Sequence, residues 1–342
     1  MNITQSNFGK LSDGREIAAY TLKNTAGNSV KVITYGARLV AWEFGDVDVV
    51  LGYADAATYE RDNKFMGAVV GRFANRIDRA QFCLNDHMYA LDQNDGNNHL
   101  HGGFNGFYQK IWEAEVKDDR LIMTVKSPDG ESGYPGNFTA KVSYRLTDAD
   151  ELIIGYEAEC DQDTLCNLTN HAYFNLDGYA SGDILSQKMQ IFADSYTWAN
   201  EQSIPDGRVL PVAGTPMDLR EPTPIGAHID DDFDELRYGK GYDHNWCAGK
   251  LGQREKIAVA EGVKTNIRLT VFSDLPGVQF YAGNYMDADL AGKNGVKFPR
   301  RSGFCLETQL YPNSINIPAF DQPILRRGET WRSETTYALS RF

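Results

Sequence analysis

Polar and titratable side chains recur in this sequence inside stretches that are otherwise rich in glycine and aromatic residues. The residues in question are Asn75 and Arg76 in GRFANRI, His101 in NNHLHGG, His171 and Tyr173 in NHAYFNL, Asp243 in GYDHNW, Gln279 in PGVQFYAGN and Glu307 in CLETQLYPNSINIP. Each has an ordinary explanation alone, such as a surface cation, a turn former or a solvent-facing strand residue. Together they offer a general acid, a general base and polar partners for several hydroxyl groups, beside aromatic rings that could face a sugar.

Metal chemistry has one sequence feature in its favour. His99 and His101 would share one face of an extended strand, a spacing that metal sites use. A cupin-like site would place a carboxylate three or four residues later, but residues 102–105 are Gly-Gly-Phe-Asn. We therefore expect no metal. The two glycines instead indicate a turn at which backbone or ligand approaches His101 closely.

Other cofactor and nucleophile signatures are missing from the sequence. It contains neither glycine-rich nucleotide motif, G-x-x-x-x-G-K-[ST] or G-x-G-x-x-G, and no G-x-S-x-G turn. The acidic run at residues 230–235 lacks the glycine of a calcium loop and is interpreted as a solvated face. We expect no cofactor.

The remaining histidines start from a structural interpretation, since a lone histidine is more often structural or solvated than catalytic. His87 and His228 lie in polar, turn-like surroundings and are predicted to be on the surface. His244 is either an orienting neighbour of Asp243 or a satisfied core histidine. His99 has no assigned role.

Composition and charge limit the class of protein. The chain has 342 residues, a formal net charge of −13 and scattered Lys and Arg, which argues against nucleic acid or an anionic membrane as a partner. Five cysteines without a C-x-x-C pair suit reduced thiols. No signal-peptide pattern and no long apolar run is present, so we expect a cytoplasmic protein without a membrane span.

Alternation of apolar and polar residues with period two predicts an all-β fold. It is seen in SVKVITYGARLVAWEF, RLIMTVKSP, NFTAKVSYRL, LIIGYEAEC, NIRLTVFSD and GVQFYAGN. Residues 147–151 form the predicted turn of a hairpin. Short helical turns are expected near ADAATYERDN and GAHIDDDFDEL. Residues 196–245 are interpreted as a long irregular connection. We predict one domain over residues 1–342, built as an antiparallel β-sandwich or barrel.

The same motifs, taken in order along the chain, resemble those of the aldose 1-epimerases, or galactose mutarotases. The series begins with YGARLVAWEF and DVVLGYADAATY and continues through GAVVGRFANRI, NNHLHGG, NHAYFNL, GYDHN and LPGVQFYAGN to ETQLYPNSINIP. The resemblance implies a large antiparallel β-sandwich of the galactose mutarotase-like supersandwich type, with few short helices. It also implies cofactor-free interconversion of the α and β anomers of hexoses such as D-galactose and D-glucose, within hexose and galactose metabolism. The partner would be a monosaccharide, and the protein a monomer or a homodimer.

Site roles follow from the resemblance, residue by residue. It implies that His171 is the general acid and Glu307 the general base. It places Asn75, Arg76, His101, Tyr173, Asp243 and Gln279 in substrate-contacting motifs. His99 stands where the family more often has a small polar residue.

Two structural expectations accompany these roles. His171 should be held protonated by Glu307 or another carboxylate, while a carboxylate kept out of water becomes a better base. His171 and Tyr173 should also face one cleft while Ala172 and Phe174 pack on the other side.

Three alternatives stay open at this point. A noncatalytic carbohydrate-binding module would not need an acid and a base together. A glycoside hydrolase would need a second carboxylate flanking the scissile bond. A sugar-phosphate 1-epimerase should show a cluster of basic residues for the phosphate.

Overall fold

The largest sheet in the computed structural model, which describes residues 2–342, has nine strands. In spatial order the strands are Glu113–Lys117, Arg120–Ser127, Phe138–Leu146, Glu151–Cys160, Thr330–Arg341, Ile267–Ser273, Glu255–Glu261, Lys188–Ile191 and Thr223–Pro224. Neighbouring strands are antiparallel. Burial alternates along Phe138–Leu146 and Glu151–Cys160, so this part of the sheet buries one face and exposes the other. The predicted hairpin is confirmed, with Leu146 opposite Leu152 across the turn.

A second sheet is formed by the N-terminal strands in simple sequential order. Its strands are Asn2–Lys10, Glu16–Lys23, Ser29–Ile33, Arg38–Phe44 and Val47–Asp48. Each strand pairs with the next one along the chain, as expected where short turns join antiparallel neighbours.

The third sheet has five strands, two of which are completely buried. Its strands, in spatial order, are Pro205–Pro211, Ser195–Ala199, Asp243–Trp246, Gly277–Tyr281 and Cys305–Gln309. Every residue of Gly277–Tyr281 and Cys305–Gln309 is buried, so these two strands are covered on both faces. We call this the site sheet because it carries Asp243, Gln279 and Glu307.

One face of the site sheet packs against the nine-stranded sheet. Leu306 belongs to the main hydrophobic core, and its carbonyl accepts a hydrogen bond from the Tyr337 hydroxyl at 2.8 Å. The Thr308 hydroxyl bonds that of Thr335. Both partners lie on Thr330–Arg341, so the strand Cys305–Gln309 is attached to the nine-stranded sheet at two successive core-facing positions.

The main core joins all three sheets. It contains Trp42 of the N-terminal sheet, Ile154 of the nine-stranded sheet and Phe280 of the site sheet, each with no exposed surface. Burial of such apolar faces between sheets is the main stabilising contribution to a sandwich. The predicted all-β, antiparallel sandwich is confirmed.

Short elements complete the described chain. Two-stranded pairs are formed by His99–Leu100 with Arg76–Ile77, Thr164–Leu165 with Ile324–Leu325, Thr169–Asn170 with Val69–Val70, and Gln81–Leu84 with His87–Ala90. The α-helices are Ala56–Glu60 and Asp234–Gly239, within or overlapping the two stretches predicted to form helical turns. The 3-10 helices are Asp78–Ala80, Phe107–Gln109, Glu131–Gly133, Ile225–Ala227, Lys293–Gly295 and Ser314–Asn316.

The interpretation of residues 196–245 as a long irregular connection was wrong. This region contains the strand Pro205–Pro211, which pairs with Ser195–Ala199 at the edge of the site sheet. Proline at both ends disguised it, because proline cannot donate to a ladder and is tolerated in edge strands. No helix in residues 2–342 is long and apolar enough to cross a membrane.

Candidate active site

A cavity of about 160 Å³ opens beside the site sheet. It is lined by Asn63, Lys64, Phe65, Asn75, Arg76, Leu100, His101, His171, Tyr173, Asp243, Tyr281, Tyr285 and Glu307. The structure therefore gathers every predicted site residue except Gln279 around one space. That space is small beside the roughly 300–1,000 Å³ of drug-sized ligand sites, which suits one small polar molecule.

His171 is held at the cavity by the short strand before it. Thr169–Asn170 pairs with Val69–Val70, and the backbone N–H of His171 donates to the Ala68 carbonyl at 2.8 Å. The carbonyl of His171 accepts from Gly67 N–H at 2.9 Å. These two backbone bonds fix the depth at which the imidazole enters the cavity.

The predicted alternation after His171 is confirmed. His171 and Tyr173 both line the cavity, with ring centroids 5.1 Å apart, whereas Ala172 and Phe174 belong to the main core. The Tyr173 hydroxyl donates to the Lys64 carbonyl at 2.9 Å. Tyr173 therefore presents its ring to the cavity and uses its hydroxyl to hold the neighbouring loop.

Glu307 faces His171 from the site sheet. Nε2 of His171 lies 3.6 Å from Oε1 of Glu307, and both side chains are almost fully buried. Within residues 2–342, Oε2 of Glu307 has no hydrogen-bond partner. A buried carboxyl oxygen left unpaired in this way is available to a ligand, because native proteins rarely leave such atoms unsatisfied without a functional reason.

Burial drives both members of this pair towards their neutral forms. The pKa of Glu307 is raised well above its usual value, by burial first and by Asp243 second, with Arg76 acting in the opposite direction. The pKa of His171 is lowered to about 4, chiefly by burial. The expectation of a better base at a buried carboxylate is therefore confirmed. The expectation that a carboxylate holds His171 protonated was wrong, since the cost of burying the imidazolium exceeds the attraction of nearby negative charge.

His101 is fixed by an exchange of hydrogen bonds with Asn75. The His101 backbone N–H donates to the Asn75 carbonyl, and the Asn75 backbone N–H donates to Nδ1 of His101, each at 3.1 Å. Because Nδ1 accepts, the ring proton of His101 is on Nε2. Burial lowers the pKa of His101 well below its usual value, so this side chain is a neutral donor.

The turn after His101 requires glycine, as the sequence indicated. Gly102 has φ +90°, and a Cβ there would lie 1.8 Å from the Gly71 carbonyl oxygen. Any larger residue would push the His101 turn away from the backbone of Gly71 and Arg72.

Arg76 and Asp243 supply opposite charges at the cavity wall. Nε of Arg76 donates to Asp95 at 2.7 Å, and the neighbouring Asp243 and Asp95 raise its pKa although burial opposes this. Asn75 connects to the same network, with its Nδ2 3.5 Å from Oε1 of Gln309. Arg76 thus remains a cation in a site that also contains acceptor oxygens.

Gln279 lies behind the cavity wall. Its Nε2 donates to Oδ1 of Asp243 at 2.7 Å, and its Oε1 accepts from Gln309 at 3.4 Å. In the ladder it stands opposite Glu307 on one side and Asn245 on the other. Its observed contacts orient Asp243.

The two histidines without an assigned role are both buried and hydrogen-bonded. Nδ1 of His99 lies 2.8 Å from the Asp92 carbonyl, and its Nε2 lies 2.6 Å from the Tyr134 hydroxyl. Nδ1 of His244 accepts from the backbone N–H of Asp243 at 3.1 Å. Burial lowers the pKa of each ring to about 4. Both are satisfied core histidines.

Several residues that line the cavity were not predicted from the sequence. The Phe65 ring packs edge-on against His101, with centroids 4.7 Å apart, and lies 5.7 Å from His171. Tyr281 lies two positions after Gln279, so the alternation of that strand could have revealed it. Tyr285 stands at the mouth with 40% of its surface exposed, the setting of an aromatic ring that a ligand could cover.

A metal ion is the one cofactor whose ligands the cavity could supply. One ligand atom each from His101, His171 and Glu307 lie within 4.8 Å of one another. Arg76 is close enough to influence the pKa of both His101 and Glu307. Its fixed positive charge disfavours a cation at this point.

The arrangement of these side chains allows proton transfer at two oxygen atoms that are bonded to the same carbon atom. An imidazole nitrogen and a carboxyl oxygen converge at 3.6 Å, while His101, Arg76 and Asp243 supply a neutral donor, a charged donor and an acceptor around them. Such an arrangement suits acid–base chemistry on a hydroxyl-rich molecule.

The chain is similar to proteins named galactose mutarotase or aldose 1-epimerase. The sequence profile of the family described as aldose 1-epimerase matches residues 18–338. The galactose mutarotase of Mus musculus is 39% identical over 346 residues, covering 99% of each chain. The aldose 1-epimerase of Escherichia coli K12 is 36% identical over 334 residues, covering 95% of this chain and 96% of that protein.

Solved structures agree with the sequence matches. The galactose 1-epimerase of Lactobacillus acidophilus NCFM superposes with a TM-score of 0.87 at 28% identity and 99% coverage of both chains. A homologue of the aldose epimerases from C. elegans gives 0.86 at 27% identity, covering 94% of this chain and 98% of the other. The chain belongs to the aldose 1-epimerase family.

Proposed function

We propose that this protein is an aldose 1-epimerase that interconverts the α and β anomers of hexoses such as D-galactose and D-glucose. The observation that carries the proposal is the convergence of Nε2 of His171 and Oε1 of Glu307 at 3.6 Å in a small buried cavity. A pyranose is a cyclic hemiacetal whose C1 hydroxyl oxygen and ring oxygen O5 are both bonded to C1. A base and an acid that act on these two oxygens must therefore approach one carbon atom together.

Ring opening needs two coordinated proton transfers. Glu307 takes the proton of the C1 hydroxyl, and the electron pair released there forms the C1 carbonyl. The C1–O5 bond breaks as His171 donates a proton to O5, so no free alkoxide forms. After this step Glu307 carries a proton and His171 is neutral.

Reclosure on the opposite face exchanges the anomers. Rotation about C1–C2 presents the other face of the carbonyl to the C5 hydroxyl. His171 removes the proton from that hydroxyl, O5 attacks C1, and Glu307 returns its proton to the former carbonyl oxygen. The enzyme ends in its starting state, so the reaction needs no net source of protons, electrons or cofactor.

The pKa directions favour one of the two protonation states of this cycle. Burial favours neutral His171 and protonated Glu307, which is the protonation state of the pair after ring opening. Ring opening therefore starts from the less favoured form, with the proton on His171, and ends in the favoured form. One proton on the pair is enough for either direction.

The other cavity residues are proposed to hold the sugar. Nε2–H of His101 and the guanidinium of Arg76 would donate to sugar oxygens, and Asp243 would accept from ring hydroxyls. Asn75 holds His101 and Gln279 holds Asp243 in the positions that these contacts require. Tyr173 would contact the sugar through its ring.

Specific observations argue against two rival functions. A binding module gives no reason to bury a carboxyl oxygen without a hydrogen-bond partner against an imidazole, because an unsatisfied buried polar group is costly. A sugar-phosphate epimerase would need free cations. Both cavity cations are paired with carboxylates, Lys64 with Asp287 and Arg76 with Asp95, each at 2.7 Å.

Polarimetry on freshly dissolved α-D-galactose or α-D-glucose tests the proposal. The protein should accelerate the change in optical rotation, and His171→Ala should retain the fold but lose most of the acceleration. Binding of either sugar without acceleration would favour the module. A strong preference for galactose 6-phosphate over galactose would favour the sugar-phosphate epimerase, and a panel with xylose, arabinose and fucose would rank the aldoses.

A further inference from the structure

Nδ1 of His171, the ring nitrogen turned away from Glu307, has its own buried partner. Sγ of Cys305 lies 3.5 Å from it, and neither residue is appreciably exposed. Cys305 and Glu307 are two residues apart on one strand, so both side chains reach the same face of the site sheet. One strand thus contacts the imidazole at both of its nitrogens.

The proton on Nδ1 decides what Nε2 can do. A neutral imidazole carries one N–H, and Nε2 can take a proton from the sugar only if that N–H is on Nδ1. If the Cys305 thiol instead donated to Nδ1, the ring proton would remain on Nε2 and block the return transfer.

We propose that Cys305 is a positioning residue for the reaction, whose sulfur accepts a hydrogen bond from Nδ1–H of His171 and so leaves Nε2 free to exchange protons with the sugar. This inference rests on the proposed function. His101 shows the opposite arrangement, since a backbone N–H donates to its Nδ1 and fixes its proton on Nε2. The two cavity histidines then differ in task, one a fixed donor and the other a proton carrier.

A sulfur acceptor suits an imidazole that must release its proton easily. Thiol sulfur is a weak acceptor, and burial raises the pKa of Cys305 well above its usual value, which keeps the thiol neutral. A carboxylate at this position would stabilise the imidazolium and oppose proton release. The other charged or titratable groups that face or influence His171 are Glu307, His101, Asp62, Arg38, Tyr173 and Tyr281.

Nitrogen-15 NMR of the histidine rings tests the contact directly in the wild-type protein. Long-range proton–nitrogen spectra at pH 7 should show neutral His171 with its proton on Nδ1 and His101 with its proton on Nε2, assigned by single His→Gln variants. A His171 proton on Nε2 would overturn the proposal, whether or not the protein is active. This measurement separates the inference from the proposed function, which polarimetry alone decides.

Kinetics of Cys305 variants give the second test. Cys305→Ala should lower kcat about 3- to 10-fold, the effect of losing one modest hydrogen bond, with KM changed less than twofold. Cys305→Ser offers a stronger acceptor for the imidazolium, so the acid limb of its pH–kcat profile should move to higher pH. Unchanged kcat and pH profile in both variants would contradict the proposal.

Cys166→Ser is the matched control, because Cys166 is a fully buried thiol in the main core and does not line the cavity. It should lower the stability without moving the pH profile or the His171 nitrogen shifts. If it moves them as far as Cys305→Ser does, the effect is general destabilisation and the proposal fails.

Discussion

The nine-stranded sheet and the site sheet use the same strand geometry for different purposes. Along Glu151–Cys160 buried and partly exposed residues alternate, so one face packs and the other meets solvent. Along Cys305–Gln309 every residue is buried, and successive residues alternate between the side that faces the nine-stranded sheet and the side that faces His171. Leu306 and Thr308 contact the core or the nine-stranded sheet, whereas Cys305 and Glu307 face His171.

This difference explains why polar residues can be buried in the site sheet. Desolvation of Glu307 is unfavourable for stability, since a buried carboxyl without a full set of hydrogen bonds prefers water. The apolar face of the same strand offsets that cost through its packing. The apolar residues packed between the sheets stabilise the fold. The site sheet holds reactive groups away from water, where burial shifts their pKa values.

Glu307→Gln should produce the largest effect on kcat. It tests most clearly whether the site sheet serves activity while the nine-stranded sheet serves stability. It replaces the proposed base by an amide of the same shape, so kcat should fall by about 10²- to 10⁴-fold. Its free energy of unfolding at pH 7 should be unchanged or higher, because the amide carries no buried charge. Polarimetry and urea denaturation measure the two quantities.

Glu157→Gln is the matched control on the nine-stranded sheet, where Glu157 pairs with Arg332 at the half-exposed face. The same chemical change there should leave kcat unaltered and shift the stability by no more than about 0.5 kcal/mol. Equal loss of activity in both variants would show that the distinction between the sheets is wrong.

Acid should lower the free energy of unfolding through buried histidines that lie outside the nine-stranded sheet. His99, His101, His171 and His244 are buried with lowered pKa values, and none belongs to the nine-stranded sheet. Between pH 6.5 and about 4 the unfolded chain takes up protons that these folded residues do not, so stability falls as pH falls. The slope is about 1.4 kcal/mol per pH unit for each histidine that stays neutral.

The raised pKa values of Glu307 and Asp274 act in the opposite direction, but they are two groups against four histidines. Urea unfolding at pH 7, 6 and 5 measures the slope. A free energy of unfolding that is constant or rises towards pH 5 would contradict the assignment of neutral buried histidines.

Gln279→Ala should give the smallest effect. Asp243 would lose a hydrogen bond that orients it, so KM for galactose should rise about 2- to 10-fold while kcat changes less. Gln190→Ala is the control, since Gln190 lies in the nine-stranded sheet and donates to the Arg220 carbonyl. A KM that rises equally in both variants would remove the special role of Gln279.

Sequence patterns predicted the strands well where one face is exposed. The alternation in residues 137–146 and 152–160 marks real strands because solvent and core impose opposite residue types on successive positions. The pattern is less informative in the site sheet. Glu307 and Gln279, judged singly, had the bland interpretation of solvent-facing residues, yet both are almost fully buried.

The grouping of the site residues came from the ordered series of family motifs, which the cavity then brought together with Gln279 behind it. Finer features depend on tertiary contacts that no local pattern encodes. The tautomer of His101 is set by the backbone of Asn75, 26 residues earlier. Phe65 has φ +56° in a polar loop, so periodicity could not indicate that its ring reaches both cavity histidines.

The attachment of Cys305–Gln309 to Thr330–Arg341 has a mechanical consequence. The strand that carries Glu307 is held from behind by the Tyr337 and Thr335 hydroxyls, and the backbone of His171 is held by hydrogen bonds to Ala68 and Gly67. The proposed acid and base are therefore both attached to the sheet framework by hydrogen bonds. With the two groups held in this way, interconversion of the anomers requires the carbonyl group of the opened sugar to rotate between them. The main movement in the reaction is then made by the substrate and not by the protein.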